Sequence, residues 1–240
     1  MGIRYRVDET FFDKWSDEMS YVLGFLYADG SLEDASYIRG KYVRVTNTDR
    51  DRIVAIKSLL DSEHTIVQHD KGGNYKRRYL LRIGNSKIYE RLVTLGLTPH
   101  KSLTMKFPKV PIRYLGAFVR GYFDGDGCVH LEMNAKNKPK RLLTVFTSGS
   151  KIFLQQLHIQ LQSHAGIVGN GLHKHGSTTG AYQLRYSSGD SARLFMLMYG
   201  RVIGQGLFLR RKYDIFTLYF KLHAKSKHSR LKFNGPVVKR

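Results

Sequence analysis

The feature that most restricts this chain is that it repeats itself. Residues 21–30 read YVLGFLYADG and residues 113–127 read RYLGAFVRGYFDGDG. In each, an apolar run at helical spacing ends in a small residue, an aspartate and a glycine. Asp29 and Asp126 lie 97 positions apart. More of the chain follows at a similar offset. The alternating run from Tyr37 to Thr46 precedes TNTDRDRIVAIKSLL, where a polar cluster caps Ile53, Ile56, Leu59 and Leu60 at helical spacing. Arg141–Thr147 precedes SGSKIFLQQLHIQL in the same way. Tyr79–Gly84 with SKIYERLVTLG then matches Tyr182–Ser187 with DSARLFMLMYG. The expected order in each half is helix, strands, helix, strands, helix.

Prolines mark the boundary. Two of the five fall in Phe107–Arg113, which reads as a linker. The expected division is 1–106 with the first apolar motif at 22–30, a linker at 107–113, 114–223 with the second motif at 119–127, and a basic tail at 224–240. The sequence leaves open whether that tail is mobile or docks along a backbone. Gly72-Gly73-Asn74, between two strand-like runs, reads as a hairpin turn.

Each aspartate sits where a carboxylate is disfavoured. The C-terminal end of a helix is negative, and a carboxylate there costs about 0.3–1 kcal/mol. Gly30 and Gly127 are expected in the left-handed conformation that stops a helix. Gly24 and Ala28, then Gly121 and Gly125, are small residues one turn apart, which lets two helix backbones approach closely. If the two runs pack together, Asp29 and Asp126 end side by side. Two such carboxylates repel unless hard divalent cations lie between them. Taken singly, a small-residue helix ending in Asp-Gly is ordinary packing followed by a turn; its duplication carries the argument.

Charge points to the partner. Forty Lys and Arg against nineteen Asp and Glu give a net charge of +21. Such a field attracts polyanions, and nucleic acid is favoured because each neutralised phosphate releases counterions. The basic residues are spread through the chain rather than gathered on one amphipathic helix, which argues against a membrane surface. No apolar run is long enough to span a bilayer. The N-terminal segment has neither an apolar signal core nor transit-peptide character, so an intracellular protein with access to DNA is expected. Cys128 is the sole cysteine, which excludes an internal disulfide or a cysteine zinc site. The histidines, His64 and His69, His173 and His175, lack the spacing of a zinc finger and read as surface or DNA-facing.

VLGFLYADG and VRGYFDGDG resemble the two copies of the LAGLIDADG signature of homing endonucleases, in the monomeric two-motif form. The resemblance runs from about Trp15 to Lys221. It implies an α+β fold of two pseudo-symmetric αββαββα lobes, with the motif helices at the interface and curved antiparallel sheets forming a DNA-binding saddle. It implies metal binding by Asp29 and Asp126, with the backbone carbonyls of Ala28 and Gly125. Tyr27 in motif one stands where motif two has Asp124, an inner acid that is not a metal ligand in the family. GLTPHKSLTMKFP and LFLRRKYDIF resemble the segments that place a lysine at each cleavage centre, which points to Lys101 and Lys212. Either is equally readable as a phosphate-contacting lysine. Asn47 and Ser148 match a polar position that organises water, and Asn47 also reads as a helix cap.

The function so implied is a Mg²⁺-dependent, site-specific double-strand DNA endonuclease of intron-homing type, acting as a monomer. It would cut both strands across the minor groove and leave 3′ overhangs, and Ca²⁺ or Mn²⁺ could occupy the same sites. Candidate DNA contacts are Arg39, Lys41, Arg44, Gln68, Lys71, Lys76, Arg78 and Arg82 in the first half. In the second they are His130, Glu132, Asn134, Lys136, Lys138, Lys140, His173, Lys174, Gln183 and Arg185. Side chains of these types bond to base edges in the major groove, and two lobes covering one turn each would read an asymmetric site of about two turns. The alternative is an RNA-binding intron maturase or a non-catalytic DNA-binding protein on the same fold. An intein fits less well, since the chain ends show no splice-junction nucleophile or terminal His-Asn.

Overall fold

A computed structural model of the chain describes residues 5–35, 40–70, 72–73, 76–169, 171–176, 180–201 and 206–224. Arg39, Lys71, Asn74 and the tail from 225 lie outside them.

The first half is α1 (Asp17–Asp29), β1 (Gly30–Ala35), β2 (Gly40–Asn47), α2 (Arg50–Leu59), β3 (Ile66–His69), β4 (Arg78–Gly84) and α3 (Ser86–Thr94). The second is α4 (Leu115–Asp126), β5 (Gly127–Met133), β6 (Pro139–Ser148), α5 (Lys151–Ala165), β7 (Leu172–His175), β8 (Ala181–Tyr186) and α6 (Ser188–Tyr199). This is αββαββα twice, an α+β chain as the repeat predicts. A further helix, α7 (Arg210–Ala224), closes the second half, where the first has only a short 3₁₀ turn at Lys101–Leu103. Each half forms a four-stranded antiparallel sheet, in orders β1-β2-β4-β3 and β5-β6-β8-β7. β3 and β4 pair across the segment containing Gly72 and Gly73, as a hairpin reading requires.

The helix starts are set locally. Ser16 accepts the N–H of Met19 to cap α1, and Asn85 and Ser150 do the same for α3 and α5. α1 and α4 differ from the other helices in being apolar on nearly all sides. Every residue from Met19 to Tyr27 is buried, as is every one from Ala117 to Asp124. They pack on each other through backbone. A β-carbon on Gly24 would fall on the Phe118 carbonyl oxygen, and one on Gly121 on that of Tyr21. One on Gly125 would collide with the Ala28 β-carbon. The small residues therefore permit the close approach that their spacing predicts. Aromatic rings continue the seam: Tyr27 packs on Phe118 and Phe153, at centroid distances of 5.4 and 6.0 Å, and Tyr122 on Phe153 at 4.7 Å.

One local expectation fails. Gly30 and Gly127 are not left-handed; their φ, ψ angles are −89°, 158° and −93°, 162°, ordinary extended backbone. The chain leaves each helix directly into a strand. Glycine is needed there for space: a β-carbon on Gly30 would lie 2.5 Å from the Leu26 carbonyl oxygen, and one on Gly127 equally near that of Phe123.

Candidate metal and nucleic-acid site

The close crossing of α1 and α4 brings their C-terminal ends together, so the two Asp-Gly steps meet. A β-carbon on Gly125 would lie 3.0 Å from Asp29 Oδ2, which places that carboxylate directly against the end of the opposite helix. Asp29 and Asp126 are both partly buried. Burial pushes the Asp29 carboxyl above its ordinary range, against a hydrogen bond from Asn47 and the charges of Lys212 and Lys101. Asp126 is held at about 6, first by burial and then by repulsion from Asp29. That repulsion falls on whichever of the pair loses its proton second.

Two buried lysines answer the negative helix ends. Lys101 Nζ donates to the carbonyls of Tyr27 at 2.6 Å and Ala28 at 3.1 Å. Lys212 Nζ donates to those of Phe123, Asp124 and Gly127 at 2.5, 2.9 and 2.6 Å. Cations belong at such ends. Burial lowers both, Lys212 to about 8. The attraction runs crosswise: Lys101 is favoured most by Asp126, and of the two lysines Lys212 acts more strongly on Asp29.

Asn47 stands at the end of β2. Its Nδ2 donates to Asp29 Oδ2 at 2.6 Å, while its Oδ1 accepts from the N–H of Asp49, the N-cap of α2, at 2.7 Å. Ser148 ends β6 at the matching place, but its shorter side chain accepts from the N–H of Ser150 instead. Asp124 has no role at the cluster's surface. It is 1% exposed, accepts from the Tyr21 hydroxyl at 2.8 Å and the Leu209 N–H at 2.9 Å, and is pushed by burial to about 6.

Two carboxylates with the carbonyls of Ala28 and Gly125 form a hard-oxygen donor set that suits a divalent cation. The Ala28 carbonyl already accepts from Lys101, which leaves it a second lone pair. Burial holds both carboxyls up in spite of two nearby ammonium groups. Among the described residues, no group of three or more His, Cys, Asp or Glu forms a metal cluster. Water or a ligand oxygen would have to complete the coordination.

Each sheet packs helices on one face and leaves the other open, and register sorts the candidate DNA contacts. On the first sheet Val43, Val45, Leu81 and Ile83 point to the helices. Arg44, Arg78 and Arg82 have the opposite parity and lie on the open face, where Arg82 stacks on Tyr42 at 3.5 Å and pairs with Glu33 at 3.2 Å. Lys41 shares the parity of Val43 and binds Glu90 of α3, away from that face. Gln68 shares the parity of Ile66 and bonds to Asp70, and Lys76 lies exposed between β3 and β4.

On the second sheet His130, Glu132, His173, Gln183 and Arg185 are on the open face. Asn134, Lys136 and Lys138 form the exposed β5–β6 turn, while Lys140 and Lys174 have helix-side parity at strand ends. Open-face residues that sequence reading missed include Arg141 and Thr147. Arg141 is bound to Glu132 at 2.6 Å. Alternation against Leu142, Thr144 and Phe146, which face the helices, was the signal that could have found Arg141 and Thr147. No helix among the described residues is long and apolar enough to cross a membrane.

Comparison with known proteins agrees with this architecture. Residues 113–199 match the LAGLIDADG-like domain. The reverse gyrase of Methanocaldococcus jannaschii is 32% identical over 170 residues, 71% of this chain but 9% of that protein. An A-type ATP synthase subunit of Methanopyrus kandleri is 31% identical over 110 residues, 46% of this chain and 10% of that protein. The chain thus spans about a tenth of the length of these relatives.

Among solved structures, the homing endonuclease I-DmoI with DNA and Mn superposes at a TM-score of 0.53, with 20% identity over 78% of this chain and 98% of that one. The same protein with DNA and Ca gives 0.54, with 17% identity over 88% and 99%. I-WcaI bound to its DNA recognition sequence gives 0.57, with 12% identity over 85% and 91%. Residues 113–199 thus match a LAGLIDADG-like domain, and the chain has the fold of the LAGLIDADG homing endonucleases.

Proposed function

We propose that this chain is a site-specific DNA endonuclease that hydrolyses both strands with divalent metal held by Asp29 and Asp126. The observation that carries the reading is the meeting of two half-buried carboxylates and two buried lysines where α1 and α4 end, between two open, basic sheet faces. That I-DmoI is described with DNA together with Mn or Ca supports both the substrate and the metal class.

A bound divalent cation, Mg²⁺ in this reading, would polarise the scissile phosphate and lower the pKa of an attacking water. The chain's own residues do the rest. Asp29 and Asp126, with the Ala28 and Gly125 carbonyls, would hold the cation. Asn47 fixes the Asp29 carboxylate in one orientation. Lys101 and Lys212, rigid because each holds backbone carbonyls, would offset charge that develops on the phosphate. The open faces carry Arg44, Arg78, Arg82, Arg141 and Arg185 toward a duplex that they would grip by phosphate and base-edge contacts.

The test is incubation of purified protein with a randomised duplex library and Mg²⁺ or Mn²⁺, with sequencing of cut ends. Recovery of one long site with a fixed cut position is expected. Absence of cutting with either metal would remove the reading. Tighter binding to structured RNA than to any duplex, without cutting, would move it to a maturase.

A further inference from the structure

We infer that the inner motif position, Tyr27 in α1 and Asp124 in α4, is a positioning residue that seats the lysine of its own half. The inference rests on the endonuclease reading above. The two residues differ in chemistry and make the same connection. Tyr27 Oη donates to the carbonyl of Leu95 at 3.0 Å, six residues before Lys101. Asp124 Oδ2 accepts the N–H of Leu209 at 2.9 Å, three residues before Lys212. In each half, then, the motif helix that bears the metal-binding aspartate is tied by the side chain two residues earlier to the segment that delivers the lysine. The lysine returns to the same helix end and donates to the carbonyl of that inner residue: Lys101 to Tyr27, Lys212 to Asp124. Each half closes a loop of two bonds between one residue and one short segment.

The second half needs the tie more, because a long segment comes between α6 and α7. Arg120, also on α4 and 3% exposed, reinforces it by donating to the carbonyls of Met198 at 2.6 Å and Leu207 at 3.0 Å. Tyr21 of α1 donates to Asp124 at 2.8 Å, so the first half steadies the second half's tie. Loss of a tie would therefore misplace one lysine and leave the other seated.

The experiment uses the full chain and a plasmid carrying a site recovered from the library, with the two strands end-labelled separately. Wild-type cutting of that plasmid establishes the endonuclease reading; its absence would sink that reading and this inference would fall with it. With wild type active, Asp124→Ala should slow one strand at least tenfold and accumulate nicked circles, with binding to the site changed less than threefold. Asp124→Asn, which keeps an acceptor oxygen, should recover most of that rate. Tyr27→Phe, which removes one hydroxyl and little packing, should slow the opposite strand. Equal slowing of both strands, slowing of the same strand by both variants, or no slowing by Tyr27→Phe would overturn the proposal, and Tyr27→Phe alone suffices if Asp124→Ala does not fold.

Discussion

Asp29 and Asp126 meet at the helix ends with different neighbours. Asn47 donates to Asp29, while Ser148 at the matching strand end turns to a backbone N–H. The folded value of Asp126, about 6, lies above the unfolded value near 3.9. The folded protein therefore holds that proton more tightly, and the stability so gained is present below about pH 4 and lost as the pH rises through about 6. Asparagine has no proton to lose. Without divalent metal, Asp126→Asn should gain about 1–2 kcal/mol on wild type between pH 4 and pH 7, read from denaturant unfolding in chelator at each pH. A constant difference would show that the carboxylate is not penalised by burial. In the proposed reaction, Asp29→Asn or Asp126→Asn should bind the site normally and fail to cut both strands. Full cutting by either, in a labelled-strand assay, would remove the paired-metal mechanism. Both aspartates were legible because the motif is duplicated in sequence. Asp124's ties were not, because Tyr21 and Leu209 reach it through the fold and no local pattern records them.

At the scale of elements, the joined helices set the geometry. Gly121→Ala would drive a β-carbon into the Tyr21 carbonyl oxygen, where no side chain can swing aside. It should cost at least about 2 kcal/mol, since overpacking against backbone forces both helices apart; chemical denaturation measures this, and a cost under half that would mean the seam yields. Helices α1 to α6 and the strands β2, β4, β6 and β8 were legible from periodicity and repetition. α7 was not: its residues were read only as a lysine-bearing segment, and nothing in the first half has a helix in that place. Strand residues were sorted less well than strands. Lys41, Lys140 and Lys174 have DNA-binding chemistry but helix-side parity, and a one-residue step decides the face of a strand.

The whole molecule carries a large excess of positive charge around a centre where two carboxylates meet two buried lysines. A net charge of +21 is expected to express itself as steep salt dependence of DNA binding. If six to ten phosphates are neutralised, log affinity should fall against log salt with a slope of about −5 to −9. Fluorescence anisotropy over a salt series measures it, and a slope shallower than about −2 would mean that the basic faces do not grip the backbone. Chelation should abolish cutting and leave this slope nearly unchanged, because the aspartates and the gripping arginines occupy different parts of the fold.

The glycine seam has a consequence for descent. At Gly24, Gly121 and Gly125 nothing can be added, so drift there is closed in one direction. The open faces carry no such restriction: their arginines meet solvent and the flexible side chains of Glu33 and Glu132, which can move aside. A lineage built this way can wander in what it recognises while the place where it acts stays fixed.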